Sequence, residues 1–345
     1  MRVLFDVSHP AHVHLFRHAI HSLQDDGHDT TVVSRRKDVT TDLLDAHDID
    51  HDVLSSMGSG PVGLAAEWAV REAKTIGTAL ATSPDVIVSR LNPPAAHAST
   101  VARCPSVVFD DSEAEVLPAR ITHPFADVVC TPERFSHDLG DKQRRYRGFH
   151  ELAYLHPDRF DPDPSVLEAH GVDPDEHYAI LRFVSWGAHH DMNQEGLSRD
   201  AKHELVDLLS DRGEVYITAE DELPAGFEGH RLPVPPEAVH QLMYHADMYV
   251  GDSQTMATEA AILGTPAIRC NSFAGDGDMS NFATLESEYG LLRSTADESA
   301  AIETVREYLD RPGIQAEWAN KRERLGEEMI DVTGFMLDVI EEAGS

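Results

Sequence analysis

Short runs of β-branched and aliphatic residues alternate with longer stretches of helical period along this chain, and after a Pro/Asp-rich interval the alternation begins again. Such alternation folds as a doubly wound parallel sheet, because parallel neighbours need a crossover, usually a helix, and those helices cover both sheet faces. In the first half, strands are predicted over 2–7, 30–34, 86–89, 106–109 and 127–130. The clearest helices there are 12–25, stopping at Gly27, and 62–81, stopping at Ser83-Pro84. Residues 157–164 are rich in proline and aspartate without periodicity and read as the core of a linker. Beyond it, strands at 178–184, 215–218, 248–250 and 267–269 alternate with helices at 201–209, 236–245 and 254–263. Residues 300–309 and 315–342 read as helical, with Pro312-Gly313 and Gly334 as interruptions. The predicted fold class is α/β, two Rossmann-like doubly wound domains facing across a cleft. Their bounds are 1–155 and 166–330, with a linker at 156–165 and a C-terminal helix at 331–345 free to return to the first domain. A length of 345 residues suits two domains of about 150 residues each. Open α/β sheets bind ligands beyond the carboxyl ends of their strands, so the expected site lies in that cleft.

Charge narrows the partners. The chain carries 61 acidic and 28 basic residues, five of the latter lysine, for a formal net charge of −33. The acids are spread through every segment, including turns such as Asp158, Asp161, Asp163 and Asp173, Asp175, Glu176. That spread points to adaptation to concentrated salt and a halophilic source, since screening at 1 M shortens to about 3 Å and mutes self-repulsion. Nucleic acid is a poor partner, because phosphate binding needs clustered cations and Arg144-Arg145-Tyr146-Arg147 is too short a cluster. No apolar run approaches the roughly 18–20 residues of a membrane span. The opening stretch holds Asp6 and lacks the pattern of a secretory signal, so a cytoplasmic location is expected. Cys104, Cys130 and Cys270 lack CxxC spacing and are expected to be buried apolar thiols. His9, His12 and His14 have no acidic or thiol fourth ligand nearby, so no metal is expected there.

The sharpest local feature runs from Tyr249 to Ile268. A strand ends at Gly251, Asp252-Ser253 caps a helix, and the free N–H groups of its first turn form an anion site suited to a diphosphate. Gln254 and Thr255 lie in that turn, and Glu259 lies about 6 Å further along on the face of Thr255, placed to accept from ribose hydroxyls. Spacing alone favours the plainer alternative, in which the cap only satisfies backbone donors and Glu259 is solvated. The stretch resembles a segment of GT-B glycosyltransferases and non-hydrolysing UDP-N-acetylglucosamine 2-epimerases, Thr-Asp-Ser-Gly-Gly-x-x-x-Glu-Ala-x-x-Leu-Gly-x-Pro. Asp252, Ser253, Glu259, Ala260, Leu263, Gly264 and Pro266 match it, while Gln254-Thr255 stand where the pattern has paired glycines. The resemblance implies a turn that binds diphosphate and a glutamate that binds ribose. From its opening Val3 to Phe16 onward the whole chain resembles an archaeal and bacterial family of unknown function grouped with the GT-B glycosyltransferases.

Three other places carry candidate chemistry. The loop at His9 and His12 sits where GT-B enzymes have a Gly-Gly-His turn, and either imidazole could serve as a base toward an acceptor hydroxyl; a loop histidine bonded to backbone is an equal alternative. Asp110, Asp111 and Glu113 follow a strand, and adjacent carboxylates are expected to raise one another's pKa; Glu113-Ala114 resembles the His-x-Glu-Ala-Gly segment of the epimerases. Arg182 and Ser185 are phosphate-binding candidates and His189 a catalytic one, against the plainer reading of an arginine paired with Asp191. Together these features predict a metal-independent glycosyltransferase with no separate cofactor. Its expected substrate is a nucleotide-sugar donor, uridine-linked, bound by the second domain. Its acceptor, presented by the first, would be a glycan, a lipid-linked carrier or a protein, as in surface-glycan or glycoprotein synthesis. The alternatives are a 2-epimerase and a non-catalytic nucleotide-sugar-binding protein.

Overall fold

The computed structural model describes residues 1–183, 197–219, 223–224, 226–275 and 278–345. The chain divides into two compact units, Met1–Arg159 with Met329–Ser345, and Phe160–Glu328.

The first unit is built on a seven-stranded parallel sheet. In chain order its strands are β1 (Arg2–Val7), β2 (Asp29–Arg36), β3 (Asp52–Ser56), β4 (Val86–Arg90), β5 (Ser106–Phe109), β6 (Val128–Pro132) and β7 (Gln143–Tyr146). Across the sheet they run β3-β2-β1-β4-β5-β6-β7, so the order reverses between β1 and β4. The central strands are buried on both faces, which is why they read as continuous aliphatic runs such as Val86–Val88 and Val107–Phe109. The polar strands β3 and β7 were not predicted, and both lie at sheet edges, where one side needs no apolar cover.

The second unit holds five parallel strands, β8 (Tyr178–Phe183), β9 (Glu214–Ala219), β10 (Met248–Gly251), β11 (Ala267–Cys270) and β12 (Leu292–Thr295), in the order β12-β11-β10-β8-β9. Its order reverses between β8 and β10. The unpredicted strand, β12, is again an edge strand with a polar sequence.

The C-terminal segment corrects one expectation. Gly334 does not interrupt the helix; it lies inside Val332–Gly344, and the break falls earlier, after Ile314–Glu328. Asp331 caps the new helix by accepting from the Thr333 N–H at 3.0 Å, and Arg159 holds the Asp331 carboxylate at 2.5 Å. The apolar face of this helix, Val332, Met336, Val339 and Ile340, packs against the helix Pro10–Asp25 and against β4 and β5. The chain's last helix therefore completes the core of its first unit. Among the described residues no helix is long and apolar enough to cross a membrane. The three cysteines are free, and burial pushes the thiols of Cys104 and Cys270 up to about 11.

Candidate functional site

Ligands of open α/β sheets collect where the strand order reverses, outside the carboxyl ends of the strands. In the first unit that point is flanked by the loops after β1 and β4, with the loop after β5 alongside. His9 caps the helix Pro10–Asp25, its Nδ1 accepting from the Ala11 N–H at 3.2 Å. In the neutral ring the proton then sits on Nε2, which is left as a donor. Burial first, then the Lys37 charge, lower the His9 pKa to about 4. His12, 7% exposed, has its Nδ1 3.4 Å from both the Ser8 amide nitrogen and Oγ. Burial, followed by the charges of Arg90 and His9, holds this imidazole well below its ordinary range. Both histidines are neutral at physiological pH.

Arg90, the last residue of β4, organises the next loop. Its guanidinium holds Asp111 at 3.0 Å and Glu115 at 2.5 Å, while His150 Nδ1 lies 3.2 Å from the same Asp111 oxygen. Asp110, fully buried, accepts from the Ser112 N–H at 3.1 Å and pairs with His123 Nε2 at 3.0 Å. The expectation that neighbouring carboxylates raise one another fails at Asp111. Burial does push it up, but the charges of His150 and Arg90 and their hydrogen bonds outweigh burial and hold it well below the usual carboxylate range. Glu113 sits at the periphery, its Oε1 accepting from the Ser136 N–H at 3.1 Å. Beneath the loops, buried Asp6 of β1 pairs with Arg71, which also donates to the Ser34 carbonyl at 3.1 Å. Burial raises Asp6 against the pull of Arg71.

In the second unit the reversal point lies between β8 and β10. Helix Gln254–Leu263 starts there, directly after β10, and Ser253 caps it by accepting from the Met256 N–H at 3.4 Å. Gln254 and Thr255 are half-buried in its first turn. Asp252 is fixed through its backbone: its N–H donates to the Arg182 carbonyl at 3.2 Å, and its own carbonyl accepts from Asn271 Nδ2 at 3.0 Å. The Arg182 guanidinium, on β8, donates to Thr218 Oγ1 at 3.0 Å. Glu259, read from sequence as solvated or ribose-facing, is 4% exposed, and His240 Nε2 lies 3.0 Å from its Oε1. Ser185 and His189 lie outside the described residues. Among the described residues, no three His, Cys, Asp or Glu side chains come together so as to hold a metal ion.

Three residues of these sites escaped sequence reading. Arg90 and His150 gather around Asp111 only because β4, β5 and the segment after β7 converge in space. Lys202 carried a signal: it is a lysine on the apolar face of the helix Arg199–Ser210, beside Ala201, Leu205, Val206 and Leu209. It is 4% exposed, packs over the Phe183 ring at 5.3 Å, and burial lowers its pKa against the nearby charge of Asp252.

Residues 1–340 match the model of a family described as Protein of unknown function (DUF354). The chain belongs to that family. Curated protein sequences gave no match. Among solved structures the chain is similar to a UDP-GlcNAc 2-epimerase from Neisseria meningitidis bound to UDP-GlcNAc, with a TM-score of 0.68 at 12% identity, covering 99% of this chain and 100% of that one. It is also similar to the spinosyn forosaminyltransferase SpnP, with a TM-score of 0.64 at 14% identity and 99% of each chain covered. A third is the glycosyltransferase VinC in complex with dTDP, with a TM-score of 0.59 at 13% identity, covering 99% of this chain and 100% of that one. At such identities the likeness establishes the fold, which is that of GT-B proteins, and leaves the chemistry to the residues.

Proposed function

We propose that this protein is a metal-independent glycosyltransferase that moves a sugar from a uridine-linked nucleotide sugar to an acceptor hydroxyl. The observation that carries the reading is the anion cradle of the second unit, a capped helix N-terminus immediately beyond β10, with the Arg182 backbone bonded to the Asp252 N–H, the Arg182 side chain on Thr218, and Lys202 in electrostatic contact with Asp252. Orphan N–H groups, the helix dipole and two cations together suit a diphosphate. They would stabilise the charge that builds on the leaving diphosphate without a cation from solution.

The first unit supplies the base. The acceptor oxygen attacks the anomeric carbon as the bond from that carbon to the phosphate oxygen breaks, the diphosphate keeps the electron pair, and His12 takes the proton. Held neutral by burial and by Arg90, His12 is in its base form throughout the physiological range. The Ser8 N–H donates to its Nδ1 at 3.4 Å, so the base role requires the ring to shift its proton to Nδ1 and donate to Ser8 Oγ, at the same distance, which leaves the Nε2 lone pair for the acceptor. His9, with Nε2 protonated, suits a hydrogen bond to a sugar or phosphate oxygen. Asp110 and Asp111 are ion-paired and act as orienting groups. That commitment favours transfer over epimerisation, which needs carboxyl groups that exchange protons with the sugar ring.

Calorimetric titration with UDP, GDP, ADP and their common sugar conjugates tests the reading. UDP and UDP-sugars are expected to bind, Arg182→Ala to weaken that binding at least about tenfold, and His12→Ala to leave it unchanged while slowing UDP release with acceptor by about 10²–10⁴-fold. Absence of binding by every nucleotide would overturn the proposal, and turnover of UDP-GlcNAc without an acceptor would replace it by epimerisation.

A further inference from the structure

The helix Gly60–Thr82 of the first unit buries only Arg71, Thr75 and Ala79. Its opposite face bears no charged residue and is open to solvent, with Val62 84% and Leu80 55% exposed and Ala66, Ala69 and Ala73 exposed between them. On a chain of net charge −33, an uncharged, solvent-open outward face the length of a helix is a surface meant to be covered.

The spacing of that face identifies its cover. Val62, Ala66, Ala69, Ala73 and Leu80 follow steps of four, three, four and seven along one face, the seam of a helix that packs lengthwise on another helix, while Ile76 between the last two is half-buried and packs against the unit's own core. The exposed pairs Val62/Leu80 and Ala69/Ala73 are also symmetric about the level of Arg71. An antiparallel copy therefore sets Val62 against the partner's Leu80 and Ala69 against the partner's Ala73. Small side chains meet at the centre, where backbones approach closest, and larger ones meet at the ends. Such self-complementarity is what a twofold contact requires. We propose that this helix is the core of a homodimer interface, two copies of the chain packing antiparallel across it.

Charge supports the same occupant. Two chains of like net charge repel least across a surface that carries none, and an acidic chain is repelled by anionic lipid headgroups. Area extends the claim. A stripe about 34 Å long and about 10 Å wide covers roughly 340 Å², below the ~800 Å² per partner of a stable dimer. The neighbouring helix Pro93–Ala102 and the one beside it, Val116–Thr122, add further exposed apolar side chains, Val101, Val116 and Leu117.

Light scattering and sedimentation of the full chain, in low and in molar salt, test the proposal. The wild type is expected at twice the 38.1 kDa chain mass. Val62→Glu and Leu80→Arg, each alone, should give monomers with unchanged circular dichroism, and Ala69→Glu at the seam centre serves as a second disrupting variant. The double variant Val62→Glu with Leu80→Arg should recover the dimer, because the two charges are about 27 Å apart along one helix and can pair only across an antiparallel contact. A monomeric wild type, or a dimer indifferent to Val62→Glu and Ala69→Glu, would overturn the interface, and failure of the double variant to recover the dimer would overturn the antiparallel pairing. A monomer that floats with phosphatidylcholine–phosphatidylglycerol vesicles would assign the face to lipid instead.

Discussion

Glu67 sits where β2, β3 and the helix Gly60–Thr82 meet, accepting from Arg35 at 2.7 and 2.6 Å, from Ser55 Oγ at 2.9 Å and from the Gly58 N–H at 3.0 Å. The Arg35 hydrogen bonds, against a smaller burial penalty, lower its pKa to about 2. A carboxylate depressed by folding stabilises the protein above its unfolded pKa, and that stability is lost as pH falls through the folded value. Glu67→Gln should therefore cost about 2–3 kcal/mol in urea unfolding at pH 7, with the gap to wild type narrowing from about pH 4.5 down toward pH 2. His12 and Asp111 make a different point. Asp111 was singled out from sequence by its place just after a buried strand, and His12 by the resemblance of its loop to the Gly-Gly-His turn of GT-B enzymes. Their protonation states were not legible, because Arg90, His150 and the burial that set them come from segments far apart in the chain.

At the level of elements, β10 and the helix that follows it show how local sequence and tertiary contact divide the labour. The helix bounds, Gln254–Leu263, follow from Ser253 at one end and Gly264, in the left-handed conformation, at the other. Gly251 is needed for a reason no local rule contains. A Cβ there would stand 2.6 Å from the Arg182 carbonyl on β8 and 2.7 Å from the Tyr249 hydroxyl. Gly251→Ala should cost about 1–3 kcal/mol by chemical denaturation and weaken UDP binding, since it forces apart the two strand ends beside the proposed anion cradle. The same division explains the missed strands. Central strands declare themselves by being apolar on both faces, whereas β3, β7 and β12 take their conformation from the single neighbour they pair with. Gly334 was misread for a related reason: packing of Val332, Met336 and Ile340 on the core outweighs the ~1 kcal/mol a glycine costs inside a helix.

Over the whole molecule, electrostatics is governed by a net charge of −33. Raising salt from 0.1 to 1 M shortens the screening length from about 10 to about 3 Å, so self-repulsion falls while short, buried pairs such as Asp6–Arg71 are little affected. The thermal midpoint should rise steadily over that range in differential scanning calorimetry, and a flat or falling midpoint would show that the acids are locally compensated. The sequence by itself determined the class of fold, the central strands and the capped helix of the second unit, because each depends on periodicity or capping, which are properties of consecutive residues. Only the tertiary structure decided that Glu259 is paired with His240, that Asp111 is held ionised between Arg90 and His150, and that the last helix closes the first unit's core. Those outcomes depend on which distant segments share a small volume from which water is excluded, and burial there sets both the cost of a charge and the partner that must offset it.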